Sequence, residues 1–157
     1  ILSKRDNKIH RKELKNNNYE EIDLVIVNFY PFEKTLEKTK NHKKIIENID
    51  IGGPTLVRAA AKNYSDVTVI TNINQYNYLI DQLNKNKGTT TLEFRKKMSE
   101  EAFSETSYYD SLITNYFIKL RKNIANCIFK VHSTYLSQTA TYCEIKDFPK
   151  ISRPARY

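Results

Sequence analysis

Two short runs of β-branched and aliphatic residues constrain the fold of this chain more than any other feature. One run covers residues 22–27 and the other covers residues 67–71. Each has the length of a strand and is followed by helix-forming sequence, so each predicts a buried β-strand. Strands that alternate with helices are typical of an α/β fold with a mostly parallel sheet.

Helical patterns occupy most of the remaining sequence. We expect a helix and then a loop in residues 1–21, and further helices at 36–48, from Pro54 to Lys62, from Tyr76 to Gly88, at 91–103 and at 106–121. The last two helices form a C-terminal helical extension. Apolar side chains recur at helical spacing in two of these segments, first as Tyr76, Leu79, Ile80 and Leu83, then as Tyr108, Leu112, Ile113, Tyr116, Phe117 and Leu120.

The positive charge of the chain is concentrated at its end. The formal net charge is +8, of which residues 119–157 supply +6. Residues 123–157 show no sustained period of strand or helix, and they predict a linker or sequence outside the domain. A basic tail could bind nucleic acid in a strongly salt-dependent way, but the near-neutral body of the chain argues against nucleic acid as a partner.

The sequence also bounds the setting of the protein. No run approaches the about 20 apolar residues that a membrane span needs, and the first residues do not resemble a signal peptide. Two cysteines are too few for a disulfide framework or a zinc site, so we expect a reducing, cytoplasmic setting. The three histidines lack metal-ligand spacing. No phosphate-binding loop or nucleophile elbow occurs.

Glycine placement gives the first functional signal. Only three glycines occur, and Gly52 and Gly53 are adjacent. Glycine lets backbone N–H groups approach a ligand closely, and a helix that begins at Pro54 directs its positive end to the same place. This pattern favours an anionic or carbonyl-rich ligand. A tight turn without a ligand fits the same residues, and that alternative stays open.

Three other positions carry similar alternatives. Asn28 and Tyr30 follow the first strand, at the edge where ligands bind in open α/β sheets, although Tyr30 could equally be core packing. Lys62 ends an alanine-rich helix, where partial burial would suit it to proton transfer. The pattern alone favours a solvated lysine that stabilises the helix terminus. Tyr108, Tyr109 and Asp110 on a later helix predict core packing, with an aromatic stacking platform as the alternative.

Longer segments of the sequence resemble a known family. Val25 through Phe32 with Thr35, then Ile46 through Asn63, strongly resemble the IMP cyclohydrolase domain, the N-terminal half of the bifunctional AICAR transformylase/IMP cyclohydrolases. The likeness continues at Ala102-Phe103, Thr106, Tyr109-Asp110 and Tyr116. It implies a methylglyoxal-synthase-like, Rossmann-type α/β fold for residues 1–122. It also implies closure of formyl-AICAR ribotide to IMP with loss of water, and a homodimer.

The resemblance implies a role for each site residue. Lys62 would be the proton donor and acceptor, Asp50 would hold the carboxamide or relay protons, and Tyr30 would face the formyl group and offer its backbone. The substrate-binding positions would be Val27, Asn28, Ile51, Gly52 and Gly53. Ring closure needs proton transfer and a place for an oxyanion, without a metal or cofactor. The 10-formyltetrahydrofolate of the family serves only the transformylase domain, which is not recognisable here.

Departures from the family pattern lead to two expectations. The family's serine–lysine loop and Arg-x-Lys-Thr segment, which contact the nucleotide phosphate, would precede Ile1, so we expect this chain alone to be nearly inactive. Residues 123–157 fit a divergent linker or an out-of-frame tail. The alternative function is a nucleotide-sensing regulatory module of the same fold, which would keep the glycine loop but would not need Lys62.

Overall fold

The computed structural model describes residues 1–120 as helices arranged around a pair of parallel strands. This arrangement confirms the α/β class and the helical C-terminal part. The elements in chain order are α1 (Lys8–Asn16), β1 (Leu24–Ile26), α2 (Phe32–Lys38), α3 (His42–Glu47), α4 (Gly52–Lys62), β2 (Thr68–Ile70), a 3₁₀ turn (Ile73–Gln75), α5 (Tyr76–Lys85) and α6 (Leu92–Leu120).

The two strands differ in how far they are buried. They pair in parallel with Val25 opposite Val69. Every residue of β2 is buried, as its apolar run predicts. In β1 only Val25 is buried, whereas Leu24 and Ile26 are 37% and 46% exposed. The prediction of a buried first strand therefore holds for Val25 but not for Leu24 and Ile26, because residues 1–120 cover only one face of β1.

Helices α4 and α6 build the core against β2. Val57, Ala60 and Ala61 of α4 are fully buried, and Met98 and Ala102 of α6 lie in the same cluster. Alanine side chains let the two helices approach closely. At this contact the Ser99 hydroxyl of α6 donates a hydrogen bond of 2.8 Å to the Ala61 carbonyl, so the buried hydroxyl is satisfied.

The helix predicted over residues 36–48 is two helices. Helix α2 begins earlier, at Phe32, and ends at Lys38, and α3 begins at His42. The side chain of Asn41 accepts a hydrogen bond of 3.1 Å from the Lys44 N–H and caps α3. Asparagine is a strong helix-capping residue, and at position 41 it starts a new helix within the segment that was predicted as one.

The helices predicted over residues 91–103 and 106–121 are one continuous helix, α6. Ser104 and Glu105 carry no feature that breaks a helix. The apolar stripe also differs from the prediction, because Tyr109 is 5% exposed whereas Tyr108 is 50% exposed. In α5, likewise, Leu79 is buried and Ile80 is half exposed.

Within residues 1–120, no helix has both the length and the apolarity needed to cross a membrane. The predictions for residues 123–157, and for the basic tail as a nucleic-acid surface, concern sequence beyond the described residues.

Candidate functional site

The candidate site lies where the parallel strands end. The ladder extends one residue past β1, because the Val27 N–H donates to the Ile70 carbonyl at 2.9 Å. The next residue, Asn28, is exposed, and its side-chain amide donates to the Tyr76 hydroxyl at 2.9 Å. This bond ties Asn28, at the end of β1, to the start of α5.

Asp50 is the centre of the site. Its carboxylate accepts hydrogen bonds from the Gly53 N–H at 2.8 Å and from the Tyr30 N–H at 3.3 Å. Its own N–H donates to the Tyr109 hydroxyl at 2.8 Å. These bonds join the β1–α2 loop, the N-terminus of α4 and the middle of α6 at one residue. The structure thus brings together Asp50, Tyr30 and Gly53, which the sequence singled out separately.

The two glycines play different parts at the start of α4. The helix begins at Gly52 rather than at Pro54, so both glycines belong to its first turn. A Cβ atom at Gly53 would lie 2.5 Å from the Asp50 Oδ2, whereas a Cβ at Gly52 would meet no atom within 4 Å. Gly53 therefore lets the carboxylate lie over the helix end, where the helix dipole stabilises negative charge. Gly52 leaves open space beside it.

The backbone groups of Tyr30, which the resemblance assigns to the formyl group, make hydrogen bonds within the chain. Its N–H is bonded to Asp50, and its carbonyl accepts from the Phe32 N–H at 2.7 Å. Both backbone groups therefore already have partners in this structure. The side chain is 57% exposed, and its hydroxyl makes no hydrogen bond to any of residues 1–120. The phenol of Tyr30 is therefore open to solvent at the edge of the site.

Lys62 lies away from this cluster. It is the last residue of α4, and Gly53 lies nine residues earlier on the same helix. A rise of about 1.5 Å per residue separates their backbones by about 13 Å. Lys62 is exposed, so the partial burial that its alanine neighbours suggested is not found. The structure does not bring Lys62 and Asp50 of one chain together.

The sequence named Tyr109 as a core residue and as part of the resemblance, but assigned it no role at the site. Its burial matches the core packing expected for it, but its hydroxyl bonds to the Asp50 N–H and also lies 3.5 Å from the Asn48 carbonyl. Burial raises the pKa of this phenol, the Asp50 N–H opposes that shift, and the negative charge of Asp50 adds to it. The proximity of Tyr109 to Asp110 in sequence gave no signal of a contact with a loop 59 residues away.

A polar cleft of about 310 Å³ lies at the end of β2. Gln75 organises it, because its side-chain oxygen accepts from the Thr71 N–H at 2.8 Å and its amide donates to Glu101 at 2.6 Å. Asn72 and Glu105 also line the cleft. Its amide and carboxylate groups suit ligand hydroxyl or amino groups. No group of three or more potential metal ligands occurs in the part of the chain that the structure describes.

These features define a class of domain. Parallel strands flanked by helices, with a polar site at the carboxyl ends of the strands, are typical of α/β ligand-binding domains. Residues 3–55 match the family model of the MGS-like domain. The crystal structure of ForH shares this architecture, with a TM-score of 0.64 and 25% identity over 74% of this chain and 60% of that chain.

The family itself follows from the second half of the sequence. Residues 60–145 match the model of the AICARFT/IMPCHase bienzyme, and the chain belongs to this family. It is 51% identical over 117 residues to the bifunctional purine biosynthesis protein PurH of Clostridioides difficile (strain 630), covering 74% of this chain and 22% of that protein. It is 48% identical over 120 residues to the PurH of Lactobacillus acidophilus, covering 76% of this chain and 23% of that protein. The chain thus spans about a fifth of the length of these relatives.

Proposed function

We propose that the chain supplies the ring-closing site of an IMP cyclohydrolase, which converts formyl-AICAR ribotide to IMP in purine biosynthesis. The observation that supports this most is the Asp50 carboxylate, which two backbone N–H groups hold at the N-terminus of α4. The names of the relatives and of the family model point to the same pathway.

Asp50 can hold the group that attacks. Each carboxylate oxygen can accept more than one hydrogen bond, so both oxygens retain capacity after binding Gly53 and Tyr30. A carboxamide NH₂ of the substrate fits this remaining capacity. Held there, its nitrogen is oriented toward the formyl carbon, and orientation of two reacting groups lowers the barrier to their reaction.

The backbone at the start of α4 can hold the oxygen on which charge develops. Attack of the carboxamide nitrogen on the formyl carbon forms a C–N bond and converts the formyl oxygen to an oxyanion. The N–H groups of Ile51 and Gly52 precede or begin the helix and have no intrahelical acceptor. Such donors stabilise an oxyanion before it takes a proton. The attacking nitrogen gives up one proton as the oxyanion takes one, which leaves a hydroxyl on the former formyl carbon. Loss of the second nitrogen proton then forms a C=N bond as the C–O bond breaks, and the hydroxyl leaves with a proton as water.

The substrate's remaining parts would lie along the strand ends. In our proposal Val27 and Asn28 contact the base and ribose, because they follow β1 directly beside Tyr30. The exposed phenol of Tyr30 closes the site over the formyl group. No transformylase chemistry, and so no 10-formyltetrahydrofolate, is assigned to these residues.

Proton transfer by Lys62 is a separate part of the proposal. About 13 Å of helix separates the backbone of Lys62 from that of Gly53, which holds Asp50. We therefore treat binding at Asp50 and proton transfer by Lys62 as two functions that different variants test. The homodimer that the resemblance implies, and the cytoplasmic setting that the cysteine count favours, are part of the same proposal.

A nucleotide-sensing module without catalysis is the alternative. The exposure of Lys62 at the far end of α4 favours it, because the Asp50 cluster is complete without that lysine. Such a module would bind IMP and would not consume formyl-AICAR ribotide. Turnover by the complete gene product separates the two functions.

An Asp50→Asn variant tests the proposed site. Asparagine keeps the shape of the side chain but removes its charge, so IMP affinity and turnover of formyl-AICAR ribotide should each fall at least about tenfold. The control is Asp81→Asn on α5, an exposed aspartate outside the cluster. Calorimetry measures binding, and absorbance measures formation of the purine ring. Equal affinity in the wild type and in Asp50→Asn would refute the proposed site.

A further inference from the structure

We infer that Tyr109 is a positioning residue that sets Asp50 in place for ring closure, an inference that rests on the proposed function. Tyr109 lies on α6, which supplies none of the proposed substrate contacts. Its hydroxyl nevertheless reaches the backbone of the residue at the centre of the site.

The hydroxyl bridges two backbone groups of the loop before α4. It accepts a hydrogen bond from the Asp50 N–H at 2.8 Å, and it makes a longer hydrogen bond of 3.5 Å to the Asn48 carbonyl. The side chain of Asp50 is hydrogen-bonded to the start of α4 and to the β1–α2 loop, whereas its main-chain N–H is hydrogen-bonded to Tyr109 of α6. Tyr109 therefore fixes where the Asp50 backbone lies, and this position sets where the carboxylate can point.

The ring of Tyr109 supports the other loop of the site. Its centroid lies 5.1 Å from that of Phe29 and 6.1 Å from that of Phe32, both in tilted or edge contacts. Tyr30 lies between these two residues in sequence. One buried side chain thus contacts both loops whose backbone groups meet at the Asp50 carboxylate, and its displacement would shift the two loops relative to each other.

Burial makes the hydroxyl hard to replace. Tyr109 is 5% exposed, so water has little access to the Asp50 N–H if the hydroxyl is removed. A buried donor without an acceptor is costly, and the loop would move to expose it. Phenylalanine at this position would keep the ring contacts and remove only the bridge.

Tyr109→Phe and Tyr108→Phe form a matched pair of variants. Tyr108 is the preceding residue of α6, is half exposed, and bonds to Glu33 at 3.1 Å, outside the site. In the complete gene product, Tyr109→Phe should lower kcat for ring closure about tenfold with a smaller change in KM, whereas Tyr108→Phe should change neither. A purely structural role for Tyr109 would lower Tm and leave kcat and KM of the folded enzyme unchanged, and that result would overturn the inference.

Two further measurements make the test independent of turnover. Amide hydrogen exchange at Asp50 should accelerate about tenfold or more in Tyr109→Phe and stay at the wild-type rate in Tyr108→Phe. Wild-type exchange at Asp50 in Tyr109→Phe would overturn the inference even if the enzyme is active. The tenfold loss of kcat should also vanish in an Asp50→Asn background, because Tyr109 acts through Asp50. An unmodified gene product that neither binds IMP nor turns over substrate would refute the proposed function, while the exchange result would still decide whether Tyr109 positions Asp50.

Discussion

Replacing Gly53 with alanine gives the sharpest test of how the site is built. The added Cβ would lie 2.5 Å from Oδ2, 2.9 Å from Cγ and 3.0 Å from Oδ1 of Asp50. Ordinary contacts of this kind begin near 3.5 Å, so the carboxylate must move by about 1 Å. Such a movement weakens both hydrogen bonds that hold it, from the Gly53 and Tyr30 N–H groups.

The expected magnitude follows from these two bonds. A hydrogen bond to a charged group contributes about 1.5–3 kcal/mol, but Asp50 is only partly buried and water replaces part of the loss. Alanine also gains up to about 1 kcal/mol over glycine in a helix. The unfolding free energy should therefore fall by about 1–3 kcal/mol. IMP affinity should fall at least about tenfold, because the carboxylate no longer points to the carboxamide position.

Gly52→Ala is the matched control for stability. It makes the same chemical change one residue earlier, where the new Cβ meets no atom within 4 Å. Neither glycine has a positive φ, so alanine causes no backbone strain at either position. Urea unfolding followed by far-ultraviolet circular dichroism should show Gly52→Ala as stable as the wild type or more so. If Gly53→Ala is as stable as Gly52→Ala and binds IMP like the wild type, then Gly53 does not hold the Asp50 carboxylate in place.

Three other predictions concern residues around the site and the fold. Lys62→Met should lower turnover of formyl-AICAR ribotide. It should leave IMP affinity, measured by calorimetry, close to that of the wild type, because Lys62 lies at the end of α4 that is far from Asp50. Unchanged turnover would remove Lys62 from the mechanism. Asn41→Ala should lower the unfolding free energy by about 1 kcal/mol in urea titrations, because it removes the cap on α3; no change would show that the cap is dispensable. Burial raises the pKa of Tyr109, so the protonated phenol stabilises the folded state. This stability is complete below the ordinary tyrosine pKa and is lost as pH rises through the higher pKa of the folded state. Tyr109→Phe should therefore lose less stability than the wild type when unfolding is measured from pH 8 upward.

Local sequence determined where most of the strands and helices lie, and it indicated a candidate site at the adjacent Gly52 and Gly53. The β-branched run at residues 67–71 is a buried strand, and the alanine-rich segment is a helix that packs its small residues inward. These outcomes depend on side-chain shape and periodicity, which neighbouring residues already define. The resemblance added Asp50, and it gave Lys62 a catalytic role where the pattern alone favoured a solvated lysine.

Tertiary structure decided which of the singled-out residues meet. Asp50, Tyr30 and Gly53 converge because parallel strands end at the same edge of the sheet and α4 begins there. The same geometry carries Lys62 to the opposite end of α4, although only 12 positions separate it from Asp50 in sequence. The contact of Tyr109 with Asp50 spans 59 positions and depends on how α6 packs against α4 and the loops. A side chain's reach is a few ångströms, so only the folded chain determines which distant residues come within that reach.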